Sequence, residues 1–331
     1  MDSESKSSRR PLLWGAVGII SLGIALIVAA LRYTSDDEAT NVAADATSIT
    51  KPITRPQAET KPEPQAEPHS NSSGVQTIPS GDPAITSDAA TEQHPLDPVL
   101  ELARTSLARL RTEVDDYTGR LIKRERIQGK LGNEVQMNLK VRTRREADGK
   151  VTRPLSAYLK FLEPKSVRGR EVIWTEGANG NKLTGHEGGM LNLMRVQLEP
   201  TGMLAMIDNK YPITEIGLAR LVEKLIEKGE RDRRIGPCEV QIVEDQRVGD
   251  RTCRLVQVTH PEKDSRFDFH IAQIFIDVER MIPLRYAAFL WPTEPGGEPP
   301  LEEEYTYLDL KLNVGLTDAD FDPDNPDYNY P

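Results

Sequence analysis

Between residues 120 and 314 the sequence alternates apolar and polar positions over short runs, and each run stops at a turn signal before the next begins. Gly132-Asn133, Asp148-Gly149, Pro164 and Asn179-Gly180 punctuate the first half of this series. The intervals are too short for a parallel crossover, which takes a dozen residues or more, so neighbouring strands must run antiparallel. Strands are expected over 120–128, 135–144, 155–162, 170–175, 182–186 and 191–198, and again over 238–245, 252–259, 267–277, 284–290 and 301–314.

Two helical patterns flank and interrupt the series. Leu100, Ala103, Leu107, Leu110, Val114 and Tyr117 recur at steps of three and four, with Asp97 as the expected cap and Pro98 in the first turn. A second stripe, Leu218, Leu221, Val222, Leu225 and Ile226, predicts a helix over 214–228 that Gly229 stops, with Lys224 and Lys228 in its last turn. A shorter helix is expected over 201–208. The fold class is therefore α+β: about ten antiparallel strands in a sheet that two main helices cover.

Before this domain lie two segments of different character. Residues 11–31 carry no charge and are long enough to cross a bilayer as one helix, which takes about 20 apolar residues. Lys6, Arg9 and Arg10 precede the run, while Asp36, Asp37 and Glu38 follow it. The basic side stays in the cytoplasm, so residues 1–10 are inside and the domain is periplasmic, anchored to the bacterial inner membrane. The competing reading is a signal peptide cleaved after Ala30, but its apolar core would be about 7–15 residues, shorter than this run. Residues 34–95 are rich in Pro, Ala, Thr and Glu and lack leucine and aromatic residues short of Leu96. Such a chain cannot bury enough apolar surface to offset the cost of ordering it, so it is a disordered linker, reaching about 45 Å as a coil. The folded domain occupies 96–331.

With Lys and Arg at 42 and Asp and Glu at 52, the net charge is -10 and the two signs are interspersed. No concentrated basic face is legible, which excludes nucleic acid as a partner. An oxidising compartment permits a Cys238–Cys253 disulfide. If 248–250 turns a hairpin, however, residue 253 pairs near 246 and residue 238 near 261, about 25 Å apart and beyond disulfide reach.

The stretches YTGRLIKRERIQGK, FLEP to GREVIWTEG, NKYPITEIGLARL and LNVGLTDADFDPDNPDYNYP resemble an uncharacterised bacterial family, a domain of unknown function found in anchored envelope proteins. At one further remove the order of elements is similar to the outer-membrane lipoprotein carrier and receptor proteins of the LolA and LolB type. That resemblance implies an incomplete barrel around helices with an apolar cavity for acyl chains. A fold-level likeness does not itself carry function.

Chemistry-bearing residues are sparse. The segment 188–207 holds Met190, Leu193, Met194, Met203, Met206 and Ile207, and methionine suits surfaces that accept varied apolar ligands. These side chains either fill a core or bind such a ligand. Asp268 and His270 would share one face of a strand opposite Phe267 and Phe269, the minimum for an acid/base pair or two metal ligands. Nothing at fixed spacing completes a zinc set. Asp318, Asp320, Asp322 and Asp324 fail the calcium-loop pattern, because Pro323 stands where it needs glycine and Asn329 where it needs glutamate. Phe321, Tyr328 and Tyr330 should pack this segment onto the sheet. Glu302, Glu303 and Glu304 read as charges that keep a strand edge soluble.

The expectation is thus a membrane-anchored binding protein, with no cofactor, for a lipid or acylated peptide held between sheet and helices. The alternative is a tethered module that contacts or senses another envelope protein, recognisable by an exposed apolar patch in place of a cavity. A hydrolase using Asp268 and His270 stands third.

Overall fold

The computed structural model describes residues 51–52 and 94–331. The apolar run 11–31 and nearly all of the linker 34–95 lie outside the described residues. No helix among the described residues is long and apolar enough to cross a membrane.

Among the described residues the first element is α1 (Asp97–Glu113), followed by β1 (Asp116–Ile127), β2 (Lys130–Leu131), β3 (Val135–Arg142), β4 (Arg145–Ala147), β5 (Lys150–Arg153), β6 (Ser156–Glu163), β7 (Glu171–Thr175), β8 (Leu183–His186) and β9 (Val196–Leu198). After α2 (Leu218–Asp232) come β10 (Glu239–Val248), β11 (Arg251–Thr259), β12 (Ile271–Asp277), β13 (Pro283–Phe289) and β14 (Leu301–Leu312). All pairings are antiparallel, as the short connections require. The main sheet has 12 strands in the order β10-β11-β12-β13-β14-β1-β3-β6-β7-β8-β9, with β2 beside β1, and β4-β5 forms a separate hairpin. Since β9 and β10 do not pair, the sheet is open and no barrel closes.

Alternation divides the sheet into an inner face, covered by the helices, and an outer face. On β1 and β3, Tyr117, Leu121, Met137, Leu139 and Val141 point inward, where they meet Leu110 of α1, Val114 just after it, and Leu218 and Val222 of α2. A second cluster joins Leu96 and Leu100 to Val256, Val258 and Tyr286 at the other end of the sheet. The space between helices and sheet is therefore filled by side chains: Leu218 is 0% and Val222 3% exposed.

Several element bounds differ from expectation for identifiable reasons. The first helix stops at Glu113, because residue 114 already has extended backbone, so Tyr117 belongs to β1 and not to the helical stripe. Asp97 is not the cap but the first helical residue; its carboxylate accepts the His94 N–H at 3.1 Å and pairs with Arg233 at 2.8 Å. Gly229 does not stop α2, which runs on to Asp232. A Cβ at Gly229 would come within 2.9 Å of Leu100, so this glycine permits close approach of α1 and α2. Residues 201–208 form turns and not a helix. Residues 267–270 likewise precede β12 and are not strand.

The 248–250 hairpin pairs Gln246 with Cys253 as expected. Both cysteines are free and buried, in different clusters, and burial pushes each thiol up to about 11. The segment after β14 packs on the outer face. Phe321, Tyr328 and Tyr330 join Tyr158 and Ile173, and Tyr328 stacks on Tyr158 with centroids 4.1 Å apart. The alternating aspartates there are counter-ions: Asp318 pairs with Arg142 at 2.6 Å and Asp320 with Lys140 at 2.7 Å.

Candidate functional site

The most chemically loaded place on the inner face lies where β1 and β14 run side by side. Their register sets Glu125 directly opposite Glu303, with side chains 5% and 3% exposed. Like charges facing each other across a strand pair are destabilising unless countered. The countering groups come from three directions. Lys123 reaches Glu125 at 2.8 Å, Lys210 reaches Glu303 at 2.9 Å and Glu302 at 2.6 Å, and Lys228 of α2 lies 3.9 Å from Glu303. Three phenols complete the set: Tyr211 and Tyr286 donate to Glu303 at 2.9 and 3.2 Å, and Tyr305 donates to Glu125.

Electrostatics follow from this arrangement. Burial, then the neighbouring carboxylates, push the hydroxyls of Tyr211, Tyr286 and Tyr305 well above the ordinary phenol range, so all three remain donors. Burial disfavours the Lys210 ammonium, yet Glu303 and Glu302 hold it above the ordinary lysine range. Each oxygen of Glu125 and Glu303 has at least one protein donor within hydrogen-bond or ion-pair distance. Two facing carboxylates would suit glycoside hydrolysis only if one were free to meet a substrate. Here the protein's own donors occupy both.

Beside this cluster a pocket of about 280 Å³ opens between α2 and the sheet. Its floor is Phe269 and Ala288, and its walls carry Asp268, Glu302 and Glu303 against Lys210 and Lys228, with Tyr211 at the rim. Asp268 is held by Lys228 at 3.3 Å and Arg231 at 3.1 Å. Although burial alone would raise it, these two cations bring its carboxyl below the ordinary range.

The methionine-rich segment approaches the same region from outside. Asn209 accepts a hydrogen bond from Lys123 at 2.8 Å and donates to the carbonyls of Ala205 and Ile207, so the turn around 202–209 is pinned to the cluster. On it Met203 is 85% and Leu204 43% exposed. Farther back Met190 is 94%, Leu193 72% and Met194 51% exposed, while Met206 and Ile207 are half-buried. None of these seven residues fills the core between helices and sheet, and none lines the pocket.

The third sequence expectation does not assemble. Asp268 turns to α2, whereas His270 Nδ1 contacts the His260 carbonyl at 2.9 Å and its ring lies 5.4 Å from Trp291. The other histidines have separate partners: His260 stacks on Phe267 and faces Asp232 at 3.3 Å, and His186 faces Glu171 at 3.5 Å. Among the described residues no group of three or more His, Cys, Asp or Glu could hold a metal ion.

Sequence reasoning assigned Glu302, Glu303 and Glu304 to a solvated edge, but β14 is a central strand. Glu303 is buried in the cluster, and Glu304 pairs with Arg285 at 2.6 Å on the outer face. A usable signal was present. Glu303 alternates with Tyr305 and Tyr307, so it shares their face, and Lys123 and Glu125 alternate with Leu121 in the same way.

No curated protein matches the chain. Among solved structures it is similar to a DUF1329 family protein from Desulfovibrio piger, with 13% identity and a TM-score of 0.34 over 70% of this chain and 98% of that one. It is also similar to a putative outer membrane lipoprotein-sorting protein domain from Vibrio parahaemolyticus, with 13% identity and a TM-score of 0.30 over 67% and 95%. A LolA superfamily protein from Nitrosomonas europaea gives 11% identity and a TM-score of 0.28 over 67% and 96%. Residues 114–330, most of the chain, match the family model described as Protein of unknown function (DUF1571), and the chain belongs to that family.

Proposed function

We propose that this protein is a non-enzymatic binding protein of the bacterial envelope that takes an amphipathic ligand, a lipid or an acylated peptide. The observation that carries this reading is the apposition of two unlike surfaces. A pocket lined by charges of both signs lies beside a turn that exposes Met203 and Leu204. A polar head group enters the pocket, where Lys210, Lys228, Glu302 and Asp268 supply both donors and acceptors. The apolar part lies along the methionine-rich segment, using Met190, Leu193, Met194, Met203, Met206 and Ile207, which flexible thioethers adapt to varied chains. The filled core between helices and sheet supports a surface site over an enclosed one.

Residues 11–31 anchor the protein in the inner membrane, residues 34–95 act as the linker, and the domain works in the periplasm. Sequence supports this arrangement through the uncharged run and its basic N-terminal flank.

The full chain, extracted in a mild detergent and analysed by native mass spectrometry, should carry lipid-sized adducts. A paired Met203→Asp and Leu204→Asp variant should lose them while keeping its melting temperature, since both side chains are exposed. Adducts absent from the parent chain, or unchanged in the variant, would sink the reading. A second reading, docking of another envelope protein through the same segment, is favoured by the exposure of Met190 and Leu193, which lie outside the pocket lining. Photo-crosslinking from position 190 in the native membrane, with one defined protein recovered and no lipid adduct in the mass spectrum, would select it.

A further inference from the structure

We infer that the outer face of the sheet carries a second binding site, a groove that takes a phosphate group, built on β14, β1, β3 and β6 and independent of the inner-face pocket. Register alone constructs it. Thr118 pairs with Lys311 on one side and Lys140 on the other, and Arg120 pairs with Asn138, which pairs with Lys160. Residues directly opposite share a face, so four cations stand at the corners of a patch whose centre is Thr118 and Asn138. Strand spacing makes the patch about 10 Å across the strands and about 7 Å along them. The groove over it measures about 470 Å³ and is bounded at one end by Asp327 and Tyr328.

Carboxylates answer some of these cations but not the centre. Arg120 pairs with exposed Asp309 at 3.2 Å, Lys140 with Asp320 at 2.7 Å and Lys160 with buried Glu171 at 3.0 Å. Lys311 has no ion pair among the described residues, and the side chains of Thr118 and Asn138 have no hydrogen-bond partner there. Arg120 Nε is shut off from solvent with no acceptor. Donors from three adjacent strands thus converge on one groove whose own carboxylates, Asp309 and Asp327, leave Lys311, Thr118 and Asn138 unanswered.

A dianionic, tetrahedral phosphate supplies several acceptor oxygens to donors arriving from different corners, where a carboxylate supplies two. The same face already holds anions of its own chain, since Asp318 and Asp320 sit on Arg142 and Lys140. The groove is open to solvent, so the phosphate can be free or borne on a larger molecule such as a lipid.

The test uses the full chain in neutral detergent, titrated calorimetrically with inorganic phosphate, and in parallel floated with phosphatidic acid vesicles, whose head group is a phosphate monoester, binding being scored as the excess over galactolipid vesicles that take up the anchor alone. Saturable binding should weaken by about tenfold or more in Lys311→Gln and in Asn138→Leu, the loss expected for one charge-assisted or central hydrogen bond. Both side chains are exposed and unpartnered, so both variants should keep the parent's melting temperature and its lipid adducts. Binding of phosphate and vesicles, each lost in the variants, supports the site with either source. Binding of vesicles alone, lost in the variants, supports it with a lipid head group as the source. Affinity for neither probe, or affinity unchanged by both substitutions, overturns it.

Discussion

Asp277 closes the turn between β12 and β13. Its Oδ1 accepts the N–H groups of Glu279 and Arg280 at 2.9 Å each, and Arg251 Nε donates to Oδ2 at 2.7 Å. Burial alone would raise this carboxyl, but the guanidinium and the two amides bring it below its ordinary value of 3.8. A group with a depressed folded-state pKa contributes stability that is present above the unfolded value and lost as pH falls through the folded one. Denaturant unfolding should therefore give a contribution from this residue that is flat from pH 7 to about 5 and declines below about 4. Asp277→Asn should cost about 1.5–3 kcal/mol at pH 7 and flatten the acid limb; an unchanged midpoint at neutral pH would contradict the assignment. Glu303 shows why such residues are hard to read beforehand. Its neighbours Glu302 and Glu304 made a charge run, and a run is ordinarily solvated. Alternation puts Glu303 on the face of Tyr305 and Tyr307, but only the position of β14 inside the sheet, which no local pattern encodes, buries that face on both sides. The methionines were open to two readings, a filled core or a surface for an apolar ligand; the segment crosses the surface on either side of the short strand β9, so they fill no core.

At the scale of elements, the start of α2 depends on a contact supplied from the sheet. No side chain caps the helix, and the Leu218 N–H donates instead to the Tyr117 hydroxyl at 3.0 Å, with Leu218 fully buried. Tyr117→Phe keeps the ring and removes only the acceptor, leaving a buried donor unsatisfied. The expected loss is about 1–3 kcal/mol in chemical denaturation. Gly217, at φ +114° and with its hydrogen facing the same hydroxyl, should tolerate alanine no better. Both substitutions leaving stability within about 0.5 kcal/mol of the parent would show that packing alone seats the helix. Both helical stripes were legible from spacing, because amphipathic periodicity reports the face an element buries. Their ends were less so. Gly229 looked like a stop signal when taken alone and is a contact point with Leu100 once α1 is present. The hairpin β4-β5 escaped notice because its strands are short and mostly charged, giving alternation little to act on.

For the molecule as a whole, the segment 316–331 is a third layer on part of the outer face. Besides its aromatic contacts it delivers the Asn329 N–H to buried Glu171 at 3.1 Å and receives Arg195 on the Pro331 carbonyl at 2.9 Å. A chain ending at Leu316 would uncover Tyr158 and Ile173 and leave Glu171 short of a donor. Losing a packed aromatic contact set costs about 3–5 kcal/mol, which for a domain of this size lowers the melting temperature by about 10 °C in calorimetry. A melting curve superimposable on the parent's would mean that the layer is only laid on. The antiparallel class and most strands were readable from turn spacing, and so was the packing of Phe321, Tyr328 and Tyr330. That the barrel is incomplete was legible only through the family resemblance, since it turns on whether β9 and β10 meet and no short-range signal speaks to that. One consequence of the strand order concerns time. The sheet consists of two meanders joined only where β14 lies along β1, a pairing across nearly the whole domain. Such distant pairings place folding toward the slow, millisecond-to-second end of the range. A growing chain can complete the first meander early, but β1 keeps a bare edge and Glu125 has no partner strand until residue 312 has been made. The seam that holds the inner-face cluster is therefore the last part of the sheet that synthesis allows to exist.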